Sequence, residues 1–420
     1  MESNIHRRTT CRMCQSENLS LVYSLAPTPI GDAYVTSDQL NITQEMYPID
    51  MFMCHDCGLV QLLDVISPEI LYGNYIYMTS SSPEMQAHFP KYAEEVVNRI
   101  KPVPSALVVD IGSNDGTLLS YFKQYGLRVL GVEPASEIAA SATKNGVKTL
   151  PAFFTHDLAI RIKEEYGSAS IITANNVFAN VDDLFSLTEG IRALLAPEGV
   201  FIFESFYLAD VIENKVFDFI YHEHLSAFSV APVQKFFARM GMQLIDVQRV
   251  PTKGGSLRYT VQLAGGPRSV SSSVEDMLDF EKKFKLYHPE TYTHFLQSID
   301  HLKQQTLATL KQLKKEGKSI AGYGASITGT TLIYHFDIGE YLDYLVDDNP
   351  AKQGRFSPGL HIPVYPPSVL YERNPDCVLI LAWRFAEPIM QKHEKYKNLG
   401  GKFIIPVPEF KIIDDKTREK

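Results

Sequence analysis

Leu107-Val-Val-Asp-Ile-Gly-Ser-Asn-Asp-Gly-Thr-Leu-Leu119 decides the fold. An apolar run of strand length ends at Gly112, a polar turn follows, and Thr117 opens a helical pattern. Gly112 and Gly116 let the backbone approach a ligand. Asp110, Asn114 and Asp115 put polar groups beside it. Dinucleotide folds seat a pyrophosphate on the bare N-terminus of such a helix. Two carboxylates would repel that group and suit a cationic ligand with an amino group. Val132-Glu133-Pro134, roughly twenty residues on, ends the next strand with a carboxylate that can hold two ribose hydroxyls. Loop and carboxylate together favour S-adenosylmethionine over NAD. The bland alternative is a plain strand–helix turn. Asn175 and Asn176 close a later strand, where the crevice of an open sheet lies, and are assigned to cofactor or substrate contacts.

Outward from this loop, strands are expected over Ala106–Ile111, Val129–Val132, Ser170–Ala174 and Gly199–Glu204, alternating with helices. A polar stretch of helical period from Val274 to Glu316 predicts one or two long helices. A second α/β run follows, with strands near Ser319–Tyr323, Tyr341–Asp347, Cys377–Ala382 and Lys402–Ile405. Gly322-x-Gly324 invites a dinucleotide reading there, but the loop lacks the third glycine at the fingerprint spacing. An architectural or sugar-nucleotide role is expected instead.

At 420 residues the chain exceeds one ordinary core. Its 45% hydrophobic and 21% charged residues are those of a globular protein, and its net charge of −9 argues against a nucleic-acid partner. The N-terminus lacks the apolar segment of a signal peptide, and no apolar run reaches bilayer length. A cytoplasmic protein is expected, with no membrane partner, acting as a monomer or weak homo-oligomer.

Cys11-x-x-Cys14 and Cys54-x-x-Cys57 form two knuckles. Four soft sulfur ligands favour tetrahedral zinc, with iron–sulfur the weaker alternative. With all four positions filled by protein, the ion's role is structural. Cys377 lies in an apolar strand and reads as core. Tyr221-His-Glu-His224 gathers four groups that can move a proton, and histidine titrates closest to neutrality. A His-x-His pair can equally bind metal or sit at a surface.

Taken together, the chain resembles the sugar C-methyltransferases that act on nucleotide-linked 4-keto-deoxysugars. The resemblance rests on the cysteine pairs, Tyr75-Ile-Tyr77 with Thr79-Ser-Ser81, and Val109-Asp-Ile-Gly-Ser-Asn-Asp-Gly116. It continues through Asn175-Asn-Val-Phe-Ala179, Phe217-Asp-Phe-Ile-Tyr-His-Glu-His224 and Gly254-Gly-Ser-Leu-Arg258. Gly322-Tyr-Gly-Ala-Ser326, Asp348-Asn-Pro-Ala-Lys-Gln-Gly-Arg355, Pro358-Gly359 and Ala382-Trp383 complete it.

It implies an α/β protein of three domains. These are a small zinc-binding domain over 1–80, a class I (Rossmann-like) methyltransferase domain over 81–265, and a Rossmann-like domain over 266–420 that encloses the sugar nucleotide. It implies His224 as the base that removes the C3 proton acidified by the C4 ketone, with Tyr221 and Glu223 orienting substrate and base. Tyr75 or Tyr77 is expected beside the sugar. His222, Lys253 and Arg258 are further substrate contacts, as are Lys352, Arg355 and Arg384.

Three departures stand out. Asn180 occupies a position where many relatives carry histidine, so an amide must donate there and cannot shuttle protons. Lys253 replaces a frequent histidine and Arg384 a common asparagine, both adding positive charge that serves a diphosphate or a solvated surface. Alternative functions are epimerisation, cyclisation or reduction of the bound ketosugar, or a non-catalytic zinc- and cofactor-binding module.

Overall fold

The computed structural model describes residues 4–72 and 78–414. Packing divides the chain into two compact units. The first takes residues up to Ser20, Phe52–Asp210 and Glu223–His288; the second takes Leu21–Met51, Val211–His222 and Pro289 onward.

The first unit is built on a seven-stranded sheet: β1 (Leu107–Ile111), β2 (Arg128–Val132), β3 (Thr149–Leu150), β4 (Ala169–Thr173), β5 (Leu195–Phe206), β6 (Met242–Val250) and β7 (Ser256–Leu263). Its order is 3-2-1-4-5-7-6. Strands β1 to β5 are parallel, and β7 runs antiparallel between β5 and β6. The apolar runs of β1 and β4 are buried along their length, as parallel strands covered on both faces must be. All four strands expected in this region are present. The order reverses at β1, so the crevice at the C-terminal strand ends opens beside Gly112.

Helix α1 (Pro83–Ile100) covers one face. Ser82 caps it by accepting the Met85 amide, proline holds the first position, and Lys101 ends it in the left-handed region at φ 50°. Met85, Phe89, Tyr92, Ala93, Val96 and Ile100 recur at helical spacing and pack on Val108, Leu119, Phe122, Ile171 and Ile202. Each large side chain so buried contributes about 1.5–3 kcal/mol.

The second unit carries a six-stranded sheet of β8 (Ile320–Tyr323), β9 (Tyr344–Val346), β10 (Val364–Tyr365), β11 (Cys377–Ile380), β12 (Lys402–Ile405) and β13 (Lys411–Ile413), ordered 10-9-8-11-12-13. Strand β9 is shorter than expected because Gly339–Tyr341 forms a 3-10 turn before it. Cys377 is buried in β11. The long polar stretch is two helices, Ser272–Lys283 and Pro289–Lys315. Residues 211–222 join this second unit through Phe217, stacked on Phe336 with centroids 5.2 Å apart, and Asp218, which accepts the Trp383 indole N–H at 2.9 Å.

Candidate active site

Gly112 and Gly116 stand at φ 68° and 78°, the left-handed region that favours glycine. A Cβ on Gly112 would lie 2.4 Å from Val177 Cγ2, so no larger residue fits. The N-cap residue of α2 (Thr117–Gln124), Gly116, has no side chain to cap it, and of the first amides only that of Thr117 is taken up among the described residues, by Asp115 Oδ1 at 3.2 Å. Asp110, at the end of β1, accepts the Thr173 hydroxyl at 2.6 Å. Burial pushes its carboxyl up to about 7, with Glu133 adding to the rise and Thr173 opposing it. Asp115 accepts the Thr117 hydroxyl at 2.6 Å and the Ser80 amide at 2.8 Å, while Asn114 Oδ1 accepts the Thr79 amide at 2.8 Å. The segment entering α1 is thereby pinned over the loop.

Glu133, at the end of β2, accepts the Asn114 and Ala135 amides, both at 2.9 Å. Burial raises its pKa against the pull of those two donors. A carboxylate offers about four lone-pair sites, so two remain for a ribose diol. Asn176 is left-handed at φ 57° and donates its amide to the Glu204 carbonyl, and Asn175 Oδ1 accepts the Glu204 amide. A glycine cradle, an uncapped helix start and a buried carboxylate with spare acceptors fit S-adenosylmethionine.

On the same sheet edge, His224 is buried with its ring 4.9 Å from Phe206, the last residue of β5. Glu223 is buried beside it in sequence. The Tyr-His-Glu-His run passes from the second unit to the first between His222 and Glu223. In the second unit, Tyr221 meets Phe219 edge-on, and His222 donates from Nε2 to the Tyr47 carbonyl at 3.2 Å. Burial pulls His222 down to about 4.

Asn180 ends a 3-10 turn over Phe178–Asn180, and its Oδ1 is buried without a hydrogen-bond partner among the described residues. Lys253 sits at φ 59° and gives its amide to Glu84 at 3.0 Å. Arg258 points into the first unit, donating to Glu204 and Glu95, both at 2.7 Å, over the Tyr92 ring. In the second unit, Lys352 pairs with Asp32 over Tyr34, and Arg355 reaches the Tyr34 carbonyl at 3.5 Å. Arg384 lies over Phe219, 3.7 Å from Asp218. Tyr75 and Tyr77 lie outside the described residues.

Sequence reasoning passed over His88 and Glu204. The signal was present for one of them: a carboxylate inside Phe201-Ile-Phe-Glu-Ser-Phe206, an otherwise apolar strand.

The four paired cysteines converge, their Sγ atoms all within 4.8 Å of one another. Cys11 and Cys57 are 3.6 Å apart, Cys14 and Cys54 3.4 Å. A tetrahedron with Zn–S of about 2.3 Å has edges of about 3.8 Å, so the donor set and its spacing fit zinc. Arg12, within the first knuckle, is fully buried and donates to Asp182 at 2.9 Å and to the Leu225 carbonyl at 3.2 Å.

Sheet order, glycine loop and the buried carboxylate at the end of β2 fit one class: an S-adenosylmethionine-dependent methyltransferase that carries a zinc-binding segment. Family models agree, matching residues 11–72 as "Putative zinc binding domain", 85–247 as "Methyltransferase domain" and 251–408 as "C-methyltransferase C-terminal domain". The chain is 32% identical over 408 residues to C-methyltransferase NovU of Streptomyces niveus, covering 97% of each chain. It belongs to this family of C-methyltransferases. Solved structures are more distant. Magnesium protoporphyrin IX methyltransferase of Synechocystis PCC 6803 is 16% identical, with TM-score 0.33, over 42% of this chain and 83% of that one. The plantazolicin methyltransferase BpumL is 12% identical, with TM-score 0.35, over 44% and 86%. Among the described residues, no helix is long and apolar enough to cross a membrane.

Proposed function

We propose that the methyl acceptor is a nucleotide-linked 4-keto-deoxysugar, methylated at C3 in the making of a branched deoxysugar. The observation that carries this reading is the place of His224. It is buried against Phe206 at the strand-end edge that also holds Glu133, Asn175 and Asn176. A ketone acidifies the neighbouring C–H because the carbanion delocalises onto oxygen, and a base titrating near neutrality is suited to that proton. Bound S-adenosylmethionine supplies an electrophilic methyl group.

In this reading His224 takes the C3 proton, Glu223 and Tyr221 orient base and sugar, and the Asn180 amide donates to the developing enolate oxygen. Glu133 holds the ribose of the cofactor, and the loop from Asp110 to Gly116 holds its amino-acid part. Tyr75 or Tyr77 stands beside the sugar. Lys253 and Arg384 add positive charge of the kind that serves a diphosphate. The functional segments follow the three-domain division of the sequence, and the enzyme works in the cytoplasm as a monomer or weak homo-oligomer.

The test is incubation of the protein and methyl-labelled cofactor with thymidine- and guanosine-diphosphate 4-keto sugars. Methyl label on the carbon beside the ketone supports the reading. Solvent deuterium uptake without methylation supports an epimerase-like enzyme instead, and transfer to no sugar in the panel sinks the reading.

A further inference from the structure

Glu204 has Arg258 on one side and His88 on the other. Its carboxylate is 1% exposed near the C-terminal end of β5. Arg258 Nε donates to it at 2.7 Å, and His88 Nε2 lies 2.8 and 3.0 Å from its two oxygens. Arg258 is held in turn by Glu95 at 2.7 Å and by the Tyr92 ring, 4.0 Å below the guanidinium. Glu204's own amide is fixed by Asn175 Oδ1.

A ring nitrogen that bonds a carboxylate is the donor, so Nε2 of His88 carries the hydrogen. In the neutral ring Nδ1 is then an acceptor. Nδ1 makes no hydrogen bond among the described residues, and the His88 side chain is 13% exposed. Nδ1 is thus open to solvent, whereas two polar groups beside it are buried without a hydrogen bond of good geometry: Asn175 Nδ2, a donor, and the Tyr92 hydroxyl next to it. Tyr92 packs edge-on against the His88 ring at 6.1 Å. Orphaned buried polar groups are costly and rare in native folds, so two in one cluster, beside an open imidazole acceptor, point to a ligand. A hydroxyl is the smallest group that both donates and accepts, which answers an imidazole acceptor and an amide donor together.

We propose that His88 and Asn175 bind a hydroxyl group of the methyl acceptor. His88 Nδ1 accepts its hydrogen and Asn175 Nδ2 donates to its oxygen. Glu204, locked by Arg258, is a positioning residue that fixes the His88 tautomer. The inference rests on the sugar reading above and deepens it by naming the residues that read a hydroxyl on the acceptor.

The experiment compares wild type with His88→Leu on two probes: thymidine-diphosphate 4-keto-6-deoxyglucose, and analogues each lacking one ring hydroxyl. For the parent sugar, His88→Leu raises KM about tenfold, the worth of one hydrogen bond to a buried group. Cofactor affinity by calorimetry stays put, and any fall in melting temperature from the bond lost to Glu204 is the same with or without acceptor. For one deoxy analogue wild type and variant have equal KM. Should His88→Leu not fold, His88→Gln keeps a donor to Glu204 with nothing at the Nδ1 position, and the same comparison applies. Equal losses with every acceptor, or a change in melting temperature alone, overturn the inference. Wild type inactive on all of them overturns the sugar reading, and this inference with it.

Discussion

Arg12 Nε and Asp182 Oδ1 stand 2.9 Å apart, joining the first cysteine knuckle to the loop that follows Asn180. Burial pulls the guanidinium down to about 10 even with Asp182 holding it up. Nη1 donates to Gln61 Oε1 and towards the Leu62 and Leu225 carbonyls, while Nη2 is buried with no hydrogen-bond partner among the described residues. The metal module is thus keyed into the methyltransferase unit by one residue of the knuckle itself. Arg12→Met strands those acceptors and is expected to cost roughly 3 kcal/mol. Urea unfolding of the zinc-loaded protein measures it, and a loss below the error of the method contradicts the account.

Zinc itself organises the same segment. The protein is expected to hold one zinc per chain, and chelation is expected to lower its thermal transition while leaving residual helical signal. Metal analysis beside a calorimetric scan checks this. Cys57→Ser should behave like the chelated protein, since three thiolates with a serine make a poorer site.

Acid sensitivity follows from two histidines of the second unit. Burial pulls His222 and His335 each down to about 4, whereas an unfolded chain titrates them near 6.5. Between those values the unfolded state binds protons that the native state does not, so stability falls as pH drops from about 6.5 towards 4. Each contributes at most about 1.4 kcal/mol per pH unit. His222→Gln flattens this slope in denaturant titrations at pH 7.5 and 5. A difference between variant and wild type that does not change with pH would contradict the assignment.

Glu133 offers the cleanest test of cofactor placement. If Glu133 holds the ribose as proposed, Glu133→Ala is expected to weaken S-adenosylmethionine binding ten- to a hundredfold, about 1.5–3 kcal/mol for a bond to a charged group. Calorimetric titration reads this directly, without turnover. Unchanged affinity would mean that the ribose lies elsewhere.

Much of this was written locally. Val108 to Leu119 spells strand, turn and helix in consecutive residues, and the cysteine pairs announce their ligand set by spacing. The expected strands therefore lie where periodicity put them. What stayed hidden is carried by contacts far apart in the chain. Glu204 reads as an anomaly in an apolar strand until Arg258, 54 residues later, and His88, 116 residues earlier, are brought to it. Likewise Phe217 looks like ordinary core of its neighbours, yet its ring stacks on Phe336 in the second unit. Arg258, expected among the substrate contacts, forms ion pairs with Glu95 and Glu204 that its neighbours in sequence do not announce.

If His224 removes the proton from the carbon beside the ketone, its loss stops methyl transfer and spares cofactor binding. The most direct measurement gives wild type and His224→Asn the same methyl-labelled cofactor and 4-keto sugar nucleotide, and follows both methyl transfer and cofactor binding. Expected are label on C3 with wild type, at least about a hundredfold slower transfer by the variant, and equal cofactor affinity for the two. Undiminished transfer by His224→Asn, or label on oxygen instead of carbon, would contradict this role of His224.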